Sequence, residues 1–460
     1  MQQPSLYAGA AQVDITPPLG TIINGDHVMH YARYIHDPLY AKALVLQSGD
    51  TTVAIVVVDI CAMDKELLDS VKQAIHQQTG IPAEYILISS THTHAAGSVM
   101  SLLLSPADLP FRQKLPGLLV QSVVDAHHRL QPAKVGFGSV DVPEYVLCRR
   151  YKMKEAYTPL SPVTGEKEQV KTNPFGIEHL IERPTTQPDS EVSYLAVQGT
   201  DGNWISLLAN YSLHYVGDWE NGTISADYFG EFAKNLKNQL AAGNHFVGMM
   251  SNGTSGEINI WDFLHPDQHP KAHFAKSQQI GSDIAKKVAR SLTTIEWQDA
   301  PQISAQYATI PVNLRKPTTE ELEAAKEVVV ATDFKNFSIE GQGMLALYAR
   351  EQIMLNEYPD TLPFPVQALK IGDGIIGALG GEFFSETGLA LKEKAGISHY
   401  FTITLANGCA GYVPPAHELE KGGYETWRCR SSCLEEKAEN VIREKLLQLI
   451  HTSKQNSPQS

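Results

Sequence analysis

Nowhere in the 460 residues does an apolar run approach the ~20 residues that a membrane-spanning helix requires. Basic residues are also in short supply: 37 Lys and Arg against 51 Asp and Glu leave a formal charge of -14, which argues against a nucleic-acid backbone or an anionic membrane surface as partner. Cysteine is scarce and odd in number, five in all, so no disulfide framework is expected. Cys429 and Cys433 have no second Cys pair and no nearby histidine, and read as a local disulfide or two free thiols. The start, Met1 to Tyr7, lacks the basic and apolar regions of a signal peptide. The chain therefore reads as cytoplasmic, or as secreted or periplasmic with its leader removed. No Pro/Ser/Gly linker and no internal repeat stands out. One domain over residues 1–460 is expected, with an ordered core over about 8–451 and a flexible tail at 452–460.

What is present is a globular composition, 43% apolar, arranged as strands and helices in alternation. Tyr40 to Gln47 and Thr52 to Val58 are strands separated by Gly49-Asp50, and the second is almost wholly apolar, as a strand buried on both faces should be. Asp64 caps a helix running to Gln78 that Gly80 stops, and Tyr85 to Ile88 is the next strand. This βαβ order predicts an α/β fold, a single large catalytic domain of mixed sheets flanked by helices. Further helices are expected from Ser225, over Ala275 to Leu292, after the capping box Thr318-x-x-Glu321, and after a second box at Ser432-x-x-Glu435. His265, His269 and His273 have helical spacing, but Pro266 and Pro270 forbid a regular helix, so they are loop histidines.

The chemistry gathers at strand ends. The strand at Tyr85 empties into Ser89-Ser-Thr-His-Thr-His94, and the i, i+2 spacing would put His92 and His94 on one face of an extended chain. Other strands deliver His214, Glu257, Glu382 and Tyr412 to polar, glycine-bearing loops. Strands that empty this way toward one sheet edge build a concave site. Two histidines and a carboxylate are the donor set of a catalytic zinc with one position left open. Asp59, at the end of the Thr52 strand, and Asp227 are candidates to orient the histidines, although Asp227 also suits a helix N-cap.

Five segments in order, Val13-Asp-Ile-Thr-Pro-Pro18, Thr91-His-Thr-His94, Ser225-Ala-Asp-Tyr228, Asn407-Gly-Cys-Ala-Gly-Tyr-Val-Pro-Pro415 and Gly422-Gly-Tyr-Glu425, resemble the N-terminal catalytic domain of the neutral/alkaline non-lysosomal ceramidases. The resemblance implies one zinc ion held by His92, His214, Glu382 and Tyr412, with His94 beside it facing substrate. It also implies that Tyr424 lies at the substrate carbonyl, and that Arg149 or Arg150 is a pocket arginine. A phenol next to a dication is a reasonable ligand. The chain departs from the family at Gly256-Glu-Ile-Asn-Ile-Trp261, which puts Asn259 where ceramidases carry a serine counted as catalytic. The family's C-terminal immunoglobulin-like domain is also not in this sequence.

The function implied is a zinc-dependent hydrolase of an amide or ester. Zinc would lower the pKa of water to about 7, with Tyr424 and an arginine at the developing oxyanion and His94 or Glu257 moving the proton. The missing serine points away from lipid substrates such as ceramide, and the polar loops would suit a carbohydrate or other small polar substrate; the partner expected is a small-molecule or glycan- or lipid-derived substrate. Two alternatives are a zinc-assisted lyase or glycan-processing enzyme on the same scaffold, and a non-catalytic protein that binds zinc or a ligand. Oligomeric state is not encoded in these features.

Overall fold

The computed structural model describes residues 6–265, 272–334, 337–339 and 342–455. His269 therefore lies outside the described residues. Two sheets dominate. The first has eight strands in the spatial order Val247–Asn252, Trp204–Tyr211, Glu191–Gly199, Gln131–Asp141, Leu6–Asp14, Tyr40–Ser48, Thr51–Val58 and Ile86–Ser90. The second has four, Ile303–Asn313, Thr361–Ile371, Gly374–Leu379 and His399–Ile403.

The sheets pack face to face, because strands such as Thr51–Val58 alternate the faces on which their side chains are buried. Val53, Ile55 and Val57 point into a shared core with Leu369, Ile376, Phe401 and Ile403 of the smaller sheet. Ala54, Val56 and Val58 face the other way, onto helices Lys65–Thr79 and Leu109–His128. The far wing of the large sheet is covered by Asp227–Gln239 and Ala275–Ser291, and the outer face of the small sheet by Ser385–Ala395 and Ala438–Gln455. The result is four layers, helix–sheet–sheet–helix, which is the α/β architecture expected.

One unit recurs three times: an antiparallel hairpin, a crossover helix and a strand parallel to the hairpin's second arm. It is built from Tyr40–Ser48, Thr51–Val58, Lys65–Thr79 and Ile86–Ser90; from Glu191–Gly199, Trp204–Tyr211, Asp227–Gln239 and Val247–Asn252; and from Thr361–Ile371, Gly374–Leu379, Ser385–Ala395 and His399–Ile403. The sequence shows no repeat; the repetition lies in topology alone. Each unit sends loops out from the carboxyl ends of its parallel pair, and His92, His214 and Glu382 all leave from such ends.

Other expectations need amending. Leu109–His128 and Gly343–Asn356 are helices and Gln131–Asp141 a strand, none of them anticipated. The Lys152–Asp189 excursion forms a small sheet of Val170–Thr172, Arg150–Met153 and Ile181–Pro184. Ser432 does not cap the last helix: that helix opens at Ala438, while the Ser432 hydroxyl donates to the Glu425 carbonyl. The last helix also continues to Gln455, past the Thr452 at which a flexible tail was expected, and 456–460 lie outside the described residues. Cys429 and Cys433 are buried free thiols. No helix among the described residues is long and apolar enough to cross a membrane.

Candidate metal centre

Beyond Ser90 the chain does not stay extended. Thr91 N–H donates to Val58 O and His92 N–H to Ile60 O, and His92 itself takes a left-handed backbone with φ of 71°. For a residue other than glycine this is a strained state, and such states persist where surrounding structure over-determines them. The turn brings His92 and His94 together in a way their spacing does not encode. Their Nε2 atoms are 3.2 Å apart and their rings meet edge to face.

His214 follows the strand Trp204–Tyr211 and Glu382 the strand Gly374–Leu379. His92 Nε2 lies 3.3 Å and His214 Nε2 3.6 Å from Glu382 Oε2, all three side chains being buried. The three donor atoms lie within 4.8 Å of one another. On each ring the other nitrogen faces a backbone carbonyl: His92 Nδ1 meets Cys61 O at 2.7 Å and His214 Nδ1 meets Ser255 O at 2.9 Å. Those contacts commit Nδ1 as a protonated nitrogen on each ring and leave Nε2 as the nitrogen that could ligate a metal, on His92 after giving up the proton that Glu382 favours there. Buried polar atoms are nearly always hydrogen-bonded, yet His214 Nε2 and Glu382 Oε2 have no hydrogen-bond partner. Two orphaned ligand atoms converging on one point fit a dication.

Tyr412 joins the set through a two-residue parallel pairing, Glu382–Phe383 with Tyr412–Val413. Arg149 holds its phenol: Nη2 donates to Tyr412 Oη at 3.1 Å and to Gly256 O at 2.6 Å, while Nε donates to Glu425 at 2.7 Å. The Tyr424 ring stands 5.6 Å from that of Tyr412, edge on. Burial and the Glu382 carboxylate push the Tyr412 phenol well above its ordinary range, against the pull of Arg149. Burial, then His92 and Arg149, hold His94 well below the usual imidazole range, so it is neutral at pH 7. Burial, then Arg149 and the other two histidines, do the same to His214. Burial alone would depress His92, but the Glu382 carboxylate reverses it and takes His92 well above.

His94 is clamped. Its ring stacks on Tyr215 at 3.6 Å, and Gly25, at φ of 123°, approaches it so closely that an added Cβ would lie 2.4 Å from the imidazole Cγ. Neither Tyr215 nor Gly25 carried a signal in sequence, since an Asn-Gly-Asp stretch reads only as a turn.

Several assigned roles move. Glu257 does not line the cleft; its carboxylate accepts from Ser385 N–H at 2.9 Å and Thr186 Oγ1 at 3.1 Å, at the start of a helix. Arg150 is fully buried in a structural cluster, donating to Glu425 at 2.8 Å and Glu418 at 3.1 Å, so Arg149 alone reaches the site. Asp59 pairs with Lys42 at 3.1 Å rather than with a histidine. Asp227 accepts from Val216 N–H at 2.7 Å and so steadies the loop after His214 without touching the ring. Asn259 binds Asn173 at 2.7 Å and accepts from Trp261 N–H at 3.0 Å, a local structural use of the position.

The fold is of α/β type, and buried histidine and carboxylate groups converge where its strands end. A sequence model of the neutral/alkaline non-lysosomal ceramidase N-terminal region matches residues 7–263, and the chain belongs to that family. Two solved structures share the fold. The neutral ceramidase of Pseudomonas aeruginosa has 17% identity and a TM-score of 0.74, covering 99% of this chain and 76% of its own. A ceramidase complexed with C2 has 15% identity and a TM-score of 0.73, with the same coverage.

Proposed function

We propose that this chain is a zinc-dependent hydrolase of an amide or ester. The reading is carried by the convergence of His92 Nε2 and His214 Nε2 on Glu382 Oε2, with both Nδ1 atoms committed to backbone carbonyls. His92, His214, Glu382 and Tyr412 would hold the ion. Zinc supplies Lewis acidity and brings water toward ionisation near neutral pH.

The protein's own groups do the rest. Neutral His94, held against Tyr215 and Gly25, is placed to accept a proton from the attacking water and return it to the departing amine or alcohol. The Tyr424 hydroxyl, kept protonated by its surroundings, is a donor for the charge that develops on the scissile carbonyl oxygen. Arg149 positions Tyr412 and brings positive charge to the same side. Glu257 and Asp59 take no part, because each is consumed by structural partners.

Elemental analysis of purified protein tests the reading directly. One zinc per chain is expected, lost in His92→Ala and His214→Ala. Stoichiometric zinc in both variants would rule the site out.

A further inference from the structure

Leu102 and Leu103 form an aliphatic wall of the cleft that His92, Glu382 and Tyr412 also line, about 30 Å³ in volume; with Ala62 they are its only wholly aliphatic side chains among the described residues. A space of this size holds on the order of one or two waters.

The wall is also fixed. Leu103 O accepts from Arg350 Nη1 at 3.2 Å and from Arg430 Nη2 at 3.1 Å. Both arginines are held by the fully buried Glu351, at 3.1 and 2.8 Å. On the near side Leu102 and Ser105 exchange backbone hydrogen bonds, and Ser105 Oγ donates to Ile23 O at 3.1 Å. Leu103 takes a left-handed backbone, φ of 48°, and packs its side chain against Leu347, Tyr348 and Cys429.

Resting on the hydrolase reading above, we infer that the acyl group removed is short, of acetyl size, and that Leu103 sets the limit. The substrate class is an N- or O-acetylated polar compound. Water and the acetyl compound give acetate and the free amine or alcohol: the acyl C–N or C–O bond breaks, the water oxygen becomes the second carboxylate oxygen, one water proton passes to the departing heteroatom through His94, and the other ends on the released amine as ammonium or, for an ester, in solvent. Each extra methylene on the acyl side would have to displace Leu103 against two anchored arginines, whereas the leaving group faces the polar side at Asp26 and Tyr424.

The test pairs turnover with binding, on zinc-loaded protein and on its Leu103→Gly variant, since glycine suits the backbone at this position and removes the wall. Nitrophenyl esters from acetate to octanoate are assayed, and acetate to octanoate as free carboxylates are titrated calorimetrically. The expected result is a fall in kcat/KM of at least 100-fold from acetyl to octanoyl, with hexanoyl and octanoyl esters gaining at least tenfold in Leu103→Gly. Octanoyl turned over as well as acetyl by the unaltered protein overturns the inference and leaves the hydrolase intact. Turnover of no ester sinks the hydrolase reading, and the carboxylates then decide. Acetate bound more tightly than octanoate, with the order reversed in Leu103→Gly, upholds the short-acyl limit. Octanoate bound as tightly as acetate by the unaltered protein removes it.

Discussion

Glu382 and Tyr412 are Cα partners in a parallel pairing only two residues long. Thirty residues of sequence separate them, spanned by a helix and a strand, yet their side chains leave the same edge of the same small ladder. Because the pairing is so short, its register depends on flanking contacts, among them Arg149 on the Tyr412 phenol. Glu382→Ala should abolish zinc retention. Tyr412→Phe should keep the fold and weaken zinc by about 10- to 100-fold, the range found when a group around a metal is removed. Competition with a chromogenic chelator measures both, and equal affinity in Tyr412→Phe would remove the phenol from the ligand set.

His92 and His94 are neighbours with unequal duties. His94→Gln is expected to retain zinc and lose about 10²- to 10⁴-fold in kcat, the usual worth of a general acid–base. Gly25→Ala should resemble it, because the new methyl drives into the His94 ring without touching a ligand. Loss of zinc in either variant would show that His94 binds the ion.

Arg150 reads as a site residue by sequence and as a structural one by geometry. Arg150→Met leaves Glu425 and Glu418 buried with less positive charge around them, a change that typically costs about 3–5 kcal/mol. Urea unfolding should show that loss. Turnover of the protein that remains folded should be close to normal, and a stable but inactive variant would return Arg150 to the active site.

Glu257 supplies a pH signature. Burial pushes its carboxyl up to about 7 from the ordinary 4.5, opposed by the hydrogen bonds it accepts from Ser385 and Thr186. Between those values the folded state keeps a proton that the unfolded chain has released, so stability falls as pH rises from 4.5 to 7 and levels off above. Glu257→Gln cannot titrate. Its stability relative to the unaltered protein should therefore improve across that window, by up to about 3 kcal/mol. Chemical denaturation at pH 4.5 and pH 8 gives the double difference, and a zero or negative value would refute the assignment.

Local signals were the legible ones. Asp64 and Gly80 bound their helix as a cap and a left-handed stop should, and the Thr318 capping box is formed in full. The helix Leu109–His128 escaped because Pro110 and Pro116 lie within it. Gly343–Asn356 escaped because it shows little of the one-sided apolar stripe that marks a surface helix. For the site, the identity of His92, His214, Glu382 and Tyr412 came from motif order, and the structure brings all four together. Their supports were out of reach in principle. Backbone carbonyls of Cys61 and Ser255 orient the histidines, and a carbonyl has no sequence signature. Asp59 and Asp227 looked like orienters from their places on strand and helix ends, but which partner a carboxylate meets is settled by tertiary packing.

The two histidines proposed as ligands leave the eight-stranded sheet, whereas Glu382 and Tyr412 leave the four-stranded one and the short ladder beside it. A bound ion would thus add a stitch between layers already joined by apolar packing and by hydrogen bonds such as Asn407 N–H to Ile88 O, and between segments made far apart in time on the ribosome. His92 cannot meet Glu382 until the chain has reached the third of the three repeated units. Metal capture would in that sense be a late event, and a checkpoint on whether both sheets have docked.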